Sequence, residues 1–299
     1  MPKIRRRIGH FIKGENGSFD FGISKKDFND ECYDKLNSNL GIIFKVQPIL
    51  ISYESVELSY NELGEVISKC HRLIDESDTP DATNVDNLLS YLVEATQKAT
   101  NFLSSATSFL CCASASIRRE FGEKSDIFLE WDNYRKGLHS QNLSYRFLYE
   151  MRNYSQHSYL PIDNVEIKVD NIVLGEKTVS NKLELNKGKL LDSGYNWSEN
   201  LKRDICTLEG KIDIFPMITE YVNIIRKISF KYLDIYKLDL ENCFSYMQSL
   251  GRVFQFPSNS TPVIYIGETP EGNPVPGNME FIPYPQFKWV SKHYFNLKP

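Results

Sequence analysis

A chain of 299 residues, 41% hydrophobic and 13% aromatic, can bury a large core, enough for one big domain or two smaller ones. Its net charge of −4 excludes a general polyanion binder: non-specific affinity for nucleic acid grows with the number of phosphates neutralised, and this surface on balance repels them. Any RNA contact is therefore local. No apolar run approaches the roughly 20 residues that span a bilayer, and Arg5 to Arg7 interrupt any secretory h-region, so a cytoplasmic protein without membrane contact is expected.

The opening run Lys3, Arg5, Arg6, Arg7, His10 and Lys13 is a dense basic cluster that could steer RNA, or be a solvated first strand or a frayed terminus. Residues 1–60 alternate short apolar runs, Gly41 to Val46 and Ile49 to Ile51, with Gly, Asn and Asp, which suggests a mixed N-terminal cap of strands and short helices. A helix over about 60–74 leads into an acidic turn through Asp75, Glu76, Asp78 and Asp81. Four carboxylates invite a divalent cation, but their spacing matches no known loop and a solvated linker is the simpler reading. Thr83 with Asp86 resembles a capping box. After it Val85, Leu88, Leu89, Leu92, Val93, Ala99, Phe102, Leu103, Ala106, Phe109, Leu110, Ala113 and Ile117 keep a three-four spacing to about Glu120. This is a spine helix about 54 Å long at 1.5 Å per residue. It ends at Phe121-Gly122, and a shorter helix over 125–138 and a turn at Gly137 to Ser140 precede a further helix over 140–158.

Residues 61–160 thus read as a helical core. Beyond Pro161, Val165 to Val169 and Leu183 to Leu185 alternate at period two, which marks a β-rich insertion over 161–196. Helices return at 197–208, 213–237 and 239–250; in the second, Ile218, Tyr221, Val222, Ile225, Ile228, Tyr232 and Ile235 form an apolar face that packs on the spine, so that 197–252 completes the bundle. Residues 253–299, with Pro270, Gly272, Pro274, Pro276 and Gly277, read as an irregular arm ending in a short helix. The expected fold is mainly α: a helical bundle around a long spine helix, with small β elements at the N-terminus and after the 140–158 helix. The six cysteines, Cys32, Cys70, Cys111, Cys112, Cys206 and Cys243, show no C-x-x-C spacing and read as buried small hydrophobes kept reduced.

The chemistry-bearing stretch is Arg152-Asn153-Tyr154-Ser155-Gln156-His157. In the helix that carries it, Leu143, Phe147, Leu148, Met151 and Tyr154 fall on one core-facing stripe at about 100° per residue. Asn142, Arg146, Tyr149, Glu150, Asn153 and His157 form a polar row on the other side, with Arg152 at its edge. A bare R-x-x-x-x-H is expected by chance about 0.2 times in such a composition, and about 0.02 times with Asn after the Arg. Arg5 and His10 match the bare spacing too, without a helix around them. A solvated helix face gives the same polar row, and a His in a last turn is also a favourable partner for the helix dipole.

The six residues resemble the R-N-x-x-x-H signature of the HEPN superfamily, all-helical domains many of whose members are metal-independent ribonucleases that act as face-to-face dimers. The likeness covers this helix and its neighbours only. It implies that Arg152 holds the scissile phosphate, that His157 acts as general base or acid, and that Asn153 orients the imidazole or a phosphate oxygen. Glu150 and Arg146, at i and i+4, would pair as supports beside Tyr149. It implies RNA as substrate, a homodimer with one composite site, no cofactor and no metal, with phage defence or a toxin pair among the contexts. No P-loop, G-x-G-x-x-G or H-E-x-x-H is present. The alternative is a non-catalytic helical module that binds a partner protein or a nucleotide, and a third is a purely structural bundle.

Overall fold

The computed structural model describes residues 6–14, 16–75, 83–170, 178–257, 260–267 and 278–297. In chain order the elements are β1 (Arg6–Lys13), β2 (Phe19–Asp27), α1 (Asp30–Asp75), α2 (Thr83–Phe121), α3 (Asp126–Gln141), α4 (Leu143–His157), β3 (Asn164–Asp170), β4 (Thr178–Asn186), α5 (Lys187–Asp192), α6 (Glu199–Thr207), β5 (Lys211–Asp213), α7 (Ile214–Ile235), α8 (Lys237–Phe254), β6 (Thr261–Ile266), β7 (Met279–Phe281) and α9 (Tyr284–Leu297). Among the described residues the fold is mainly α with two small antiparallel sheets, as the patterning indicates. No helix among the described residues is long and apolar enough to cross a membrane.

The chain divides into two compact units, residues 1–50 with 233–299, and residues 51–232. In the first, an antiparallel sheet in the order β2-β1-β6-β7 has Ile8 and Ile264 buried on one face. The start of α1 lies against that face: Arg6 pairs with Asp30 and stacks over the Tyr33 ring at 4.1 Å, and Tyr33 donates to Glu280 at 2.8 Å. Phe244 of α8 meets Phe287 and Tyr294 of α9 at 5.8 and 5.4 Å. Two expectations change here. The stretch 41–51, read as part of a mixed cap of strands and short helices, is inside the long α1, because Leu36, Leu40, Ile43, Val46 and Leu50 are buried at three-four spacing while Pro48 faces outward. The stretch read as an irregular arm contributes β6, which pairs along β1 from Arg6↔Ile266 to Phe11↔Thr261. The basic first strand is thus central in its sheet. The glycines and prolines of 268–277 lie outside the described residues, as do the side chains of Asp75 and of the Thr83–Asp86 pair, and the rest of the acidic turn.

In the second unit α2 is the spine, 39 residues or roughly 58 Å long. Its end is fixed by Gly122 at φ +87°, whose N–H reaches back to Arg118 at 2.9 Å. The fully buried Ala95, Ala99, Phe102, Ala106, Phe109, Ala113 and Ile117 mark its inner face. Tyr53 of α1 meets Phe109 at 5.9 Å, Tyr221 of α7 meets Phe102 at 6.0 Å, and Tyr232 reaches Ser116 at 3.2 Å. The expected docking of the 213–237 helix on the spine is therefore present. Arg226 of α7 grips Glu57 with two hydrogen bonds of 2.7 Å. β3 and β4 form the expected hairpin, Val165 opposite Leu183, and β5 adds a third strand that the sequence did not suggest.

The cysteine reading is corrected in part. Cys243 is buried, but Cys32, Cys111, Cys112 and Cys206 are exposed. On α2 the inner positions are taken by Phe109, Leu110 and Ala113, which turns Cys111 and Cys112 outward. Cys70's side chain lies outside the described residues.

Candidate functional site

The motif helix α4 is set by a sharp junction. Asn142 is at once the C-cap of α3 and the N-cap of α4, in extended conformation, and its side-chain oxygen accepts from the Tyr145 N–H at 2.8 Å. No turn intervenes: α3 runs through Gly137 to Gln141, where a turn was expected. Asn142 also donates to Glu220 of α7, and Ser144 donates to the same carboxylate at 2.6 Å. The start of the helix is thereby fixed on the bundle.

The core stripe is as the periodicity places it. Phe147, Leu148, Met151 and Tyr154 are buried, and Leu143 is half-buried. Tyr145, which was not assigned to the stripe, is buried as well, 5.1 Å from Tyr221. The segment before α6 closes over this face: Trp197 stacks on Phe147 at 6.2 Å and on Tyr154 at 5.0 Å, and Tyr195 meets Tyr154 at 5.5 Å. Two large aromatics thus hold the end of α4 in one orientation.

On the polar row, the supporting pair is not formed, which corrects an expectation. Arg146 donates to Asp204 of α6 from Nη2 at 2.7 Å and from Nε at 3.2 Å, and its Nη1 reaches the carbonyls of His139 and Ser140 at the end of α3, at 3.3 and 2.5 Å. Glu150 instead accepts from the Ser198 N–H at 3.0 Å and from its hydroxyl, at the N-terminus of α6. A carboxylate at a helix N-terminus and a guanidinium on that helix's acidic side chain are each better matched than the two would be to one another across solvent. Arg146 and Glu150 thus dock α6 onto α4.

Arg152, Asn153 and His157 take part in no ion pair among the described residues. Arg152 donates from Nη1 to Asn153 Oδ1 at 2.9 Å, has a buried Nε without a hydrogen-bond partner, and pairs with no carboxylate among the described residues. Asn153 is exposed and aligns the guanidinium; no hydrogen bond joins it to the imidazole, so the role of orienting His157 is not seen. His157 is exposed in the last helical residue and makes no hydrogen bond among the described residues. Beyond it the backbone is held: the N–H groups of Ser158 and Tyr159 both reach the Tyr154 carbonyl, at 2.9 and 3.2 Å. The second match to the bare spacing behaves otherwise, for His10 lies in β1 with its ring against Gly22, and Arg5 lies outside the described residues.

Two neighbours were missed by the sequence reading. His139 of α3 is half-buried, edge-on to Tyr145 at 4.9 Å and to Tyr149 at 5.8 Å. Burial, and then the nearby Arg146 guanidinium, hold its pKa below the usual imidazole value. Tyr195 has a phenol raised by burial and by Glu150, partly offset by Asn153. Neither spacing nor composition singles out His139, which falls where a turn was expected, and Tyr195 is brought in by tertiary structure alone. Tyr149, a proposed support, packs on His139 and, at 6.2 Å, on Tyr145. Among the described residues no three His, Cys, Asp or Glu side chains gather as metal ligands would. Compared with known proteins, the chain matches no family model, no curated protein and no solved structure.

Proposed function

We propose that the protein is a HEPN-like, metal-independent endoribonuclease whose site is built from Arg152, Asn153 and His157, with RNA as substrate and a homodimer as the working form. The observation that carries this reading is the contrast between the two arginines of α4: Arg146 is neutralised by Asp204, and Arg152 has no counter-charge among the described residues. A permanent cation aligned by a neutral carboxamide suits a phosphodiester, which brings its own negative charge. The ribose 2′-hydroxyl attacks phosphorus, the bond to the 5′-oxygen breaks, and a cyclic phosphate and a free 5′-hydroxyl result. Arg152 stabilises charge on the phosphoryl oxygens, while His157 takes the 2′-hydroxyl proton or supplies one to the leaving oxygen.

The test is cleavage of RNA in EDTA by the wild-type, Arg152→Ala and His157→Ala proteins. Cleavage by wild type and a loss of at least about a hundredfold in each variant is the expected result. A metal requirement, or undiminished cleavage by both variants, refutes the mechanism.

One observation favours a second reading, a non-catalytic module that binds a partner protein or a nucleotide through the same row. A catalytic base is ordinarily oriented by a third group, and His157 has none among the described residues. Under the nuclease reading that group comes from the second copy. A strictly monomeric, non-cleaving protein that still binds nucleotide through Arg152 supports the module instead.

A further inference from the structure

We infer that the open face of the sheet β2-β1-β6-β7 is a stacking platform for a short run of unpaired nucleic-acid bases. The inference does not depend on the nuclease reading. Because strand side chains alternate between faces, Ile8, Ile12, Asp20, Gly22, Ile264 and Glu280 share the face that receives the start of α1. Phe11, Phe19, Phe21, Ile23 and Phe281 share the other. On that face Phe19, Phe21 and Phe281 are 51%, 51% and 56% exposed. Phe11 lies between them, edge-on to Phe281 at 5.5 Å and tilted to Phe19 at 6.0 Å. On the same face Val263, directly across from Phe281, and Tyr265, two residues on, are buried, and Tyr265 covers Gly9, which bounds the open part of the face.

Charge and area choose the occupant. Lys13 stands directly across from Phe19 and is exposed, whereas the carboxylates of Asp20 and Glu280 are on the opposite face. No described side chain on the aromatic face carries a negative charge. A cation beside bare rings is the arrangement that receives a phosphate next to a stacked base. Side chains two apart on one strand, as Phe19 and Phe21 are, stand about 6.7 Å apart, which admits one planar base with contacts near 3.5 Å on each side. Three half-exposed phenyl rings offer about 300 Å², well short of the ~800 Å² per partner of a stable protein interface, so a second copy seated on this patch would be held weakly. A net charge of −4 requires any nucleic-acid contact to be local, and this face is local. The N-terminal basic run gains a use through it: Arg6 is committed to Asp30 and Tyr33, and Lys13 lies beside the rings.

The experiment uses the full chain carrying Arg152→Ala and His157→Ala, so that RNA is not cut, and reads fluorescence anisotropy of labelled oligo-uridylate, oligo-thymidylate and a duplex of mixed sequence. Binding to the single strands and not to the duplex is expected. Phe21→Ala and Phe281→Ala should each weaken it by about tenfold, Phe21→Tyr should leave it near the parent value, and Lys13→Glu should weaken it and flatten its salt dependence. Thermal unfolding of each variant checks that the sheet is intact. Absence of single-strand binding, equal binding of duplex, or phenylalanine variants that bind like the parent would overturn the inference. So would a mass that doubles in the parent and returns to one chain in Phe21→Ala, which would assign the face to a second copy. Cleavage by wild-type protein is scored separately and has no bearing on these outcomes.

Discussion

Arg146 and Arg152 sit on one helix and meet opposite fates. The first closes the end of α3 and holds Asp204, and the second is half-buried and donates to Asn153 with no carboxylate partner among the described residues. Removing Arg146 strands a partly buried carboxylate and two carbonyls, so Arg146→Ala should lower unfolding free energy by about 2 kcal/mol in a urea titration. Arg146→Lys should recover little, because an ammonium cannot span the same partners. Arg152→Ala and His157→Ala, at sites with few partners, should shift stability by no more than about 0.5 kcal/mol. His139 gives a pH signature. Its folded pKa is depressed below that of the unfolded chain, first by burial and then by Arg146, so the unfolded state binds the proton more readily. The contribution is present above the unfolded imidazole value near 6.5 and is lost as pH falls below it. Thermal midpoints should decline on acidification through that window, and His139→Gln should flatten the slope there. The exposed letters of the site were legible in the sequence, since helical spacing alone separates Asn153 and His157 from the core stripe. The partners of Arg146 and Glu150 were not, because both reach a helix whose placement only the folded chain supplies.

At the scale of elements, local pattern was a good guide where it was long. The spine kept its spacing from Ala95 to Ile117, and Gly122 closed it, whereas Leu89 and Val93, counted in the same pattern, are exposed. α1 shows the opposite case: Gly41 and Pro48 interrupt a run of β-branched residues, and short apolar segments look alike in strand and helix until the three-four recurrence of Leu36, Leu40, Ile43, Val46 and Leu50 is counted across them. β6 was hidden by a Pro- and Gly-rich neighbourhood, and it earns its place by pairing with β1, far away in sequence. The α4–α6 contact has its own test. Glu150 accepts the amide and hydroxyl of Ser198 at the start of α6, so Glu150→Ala should cost about 1 kcal/mol. It should also raise amide hydrogen exchange in α6 selectively; uniform exchange changes, or none, would mean that the cap is idle.

For the whole molecule, the nuclease reading calls for a second chain, because the described residues of one copy supply a cation and an imidazole but no group that orients the imidazole. Light scattering of purified protein should therefore give about twice the chain mass, and dilution to monomer should abolish cleavage before it unfolds the protein. A monomer that cleaves RNA at full rate would contradict the composite site. The overall negative sign disfavours binding to bulk polyanion. One junction constrains how such a chain can drift over time. A single asparagine, Asn142, ends one helix and begins the next without a spare residue between them. Adding or deleting one residue just after it would swing every later side chain of α4 by about 100° about the axis, carrying Arg152 and His157 round the rod together. Length there is pinned more tightly than letter, and natural variation at the hinge should take the form of replacement and not of insertion.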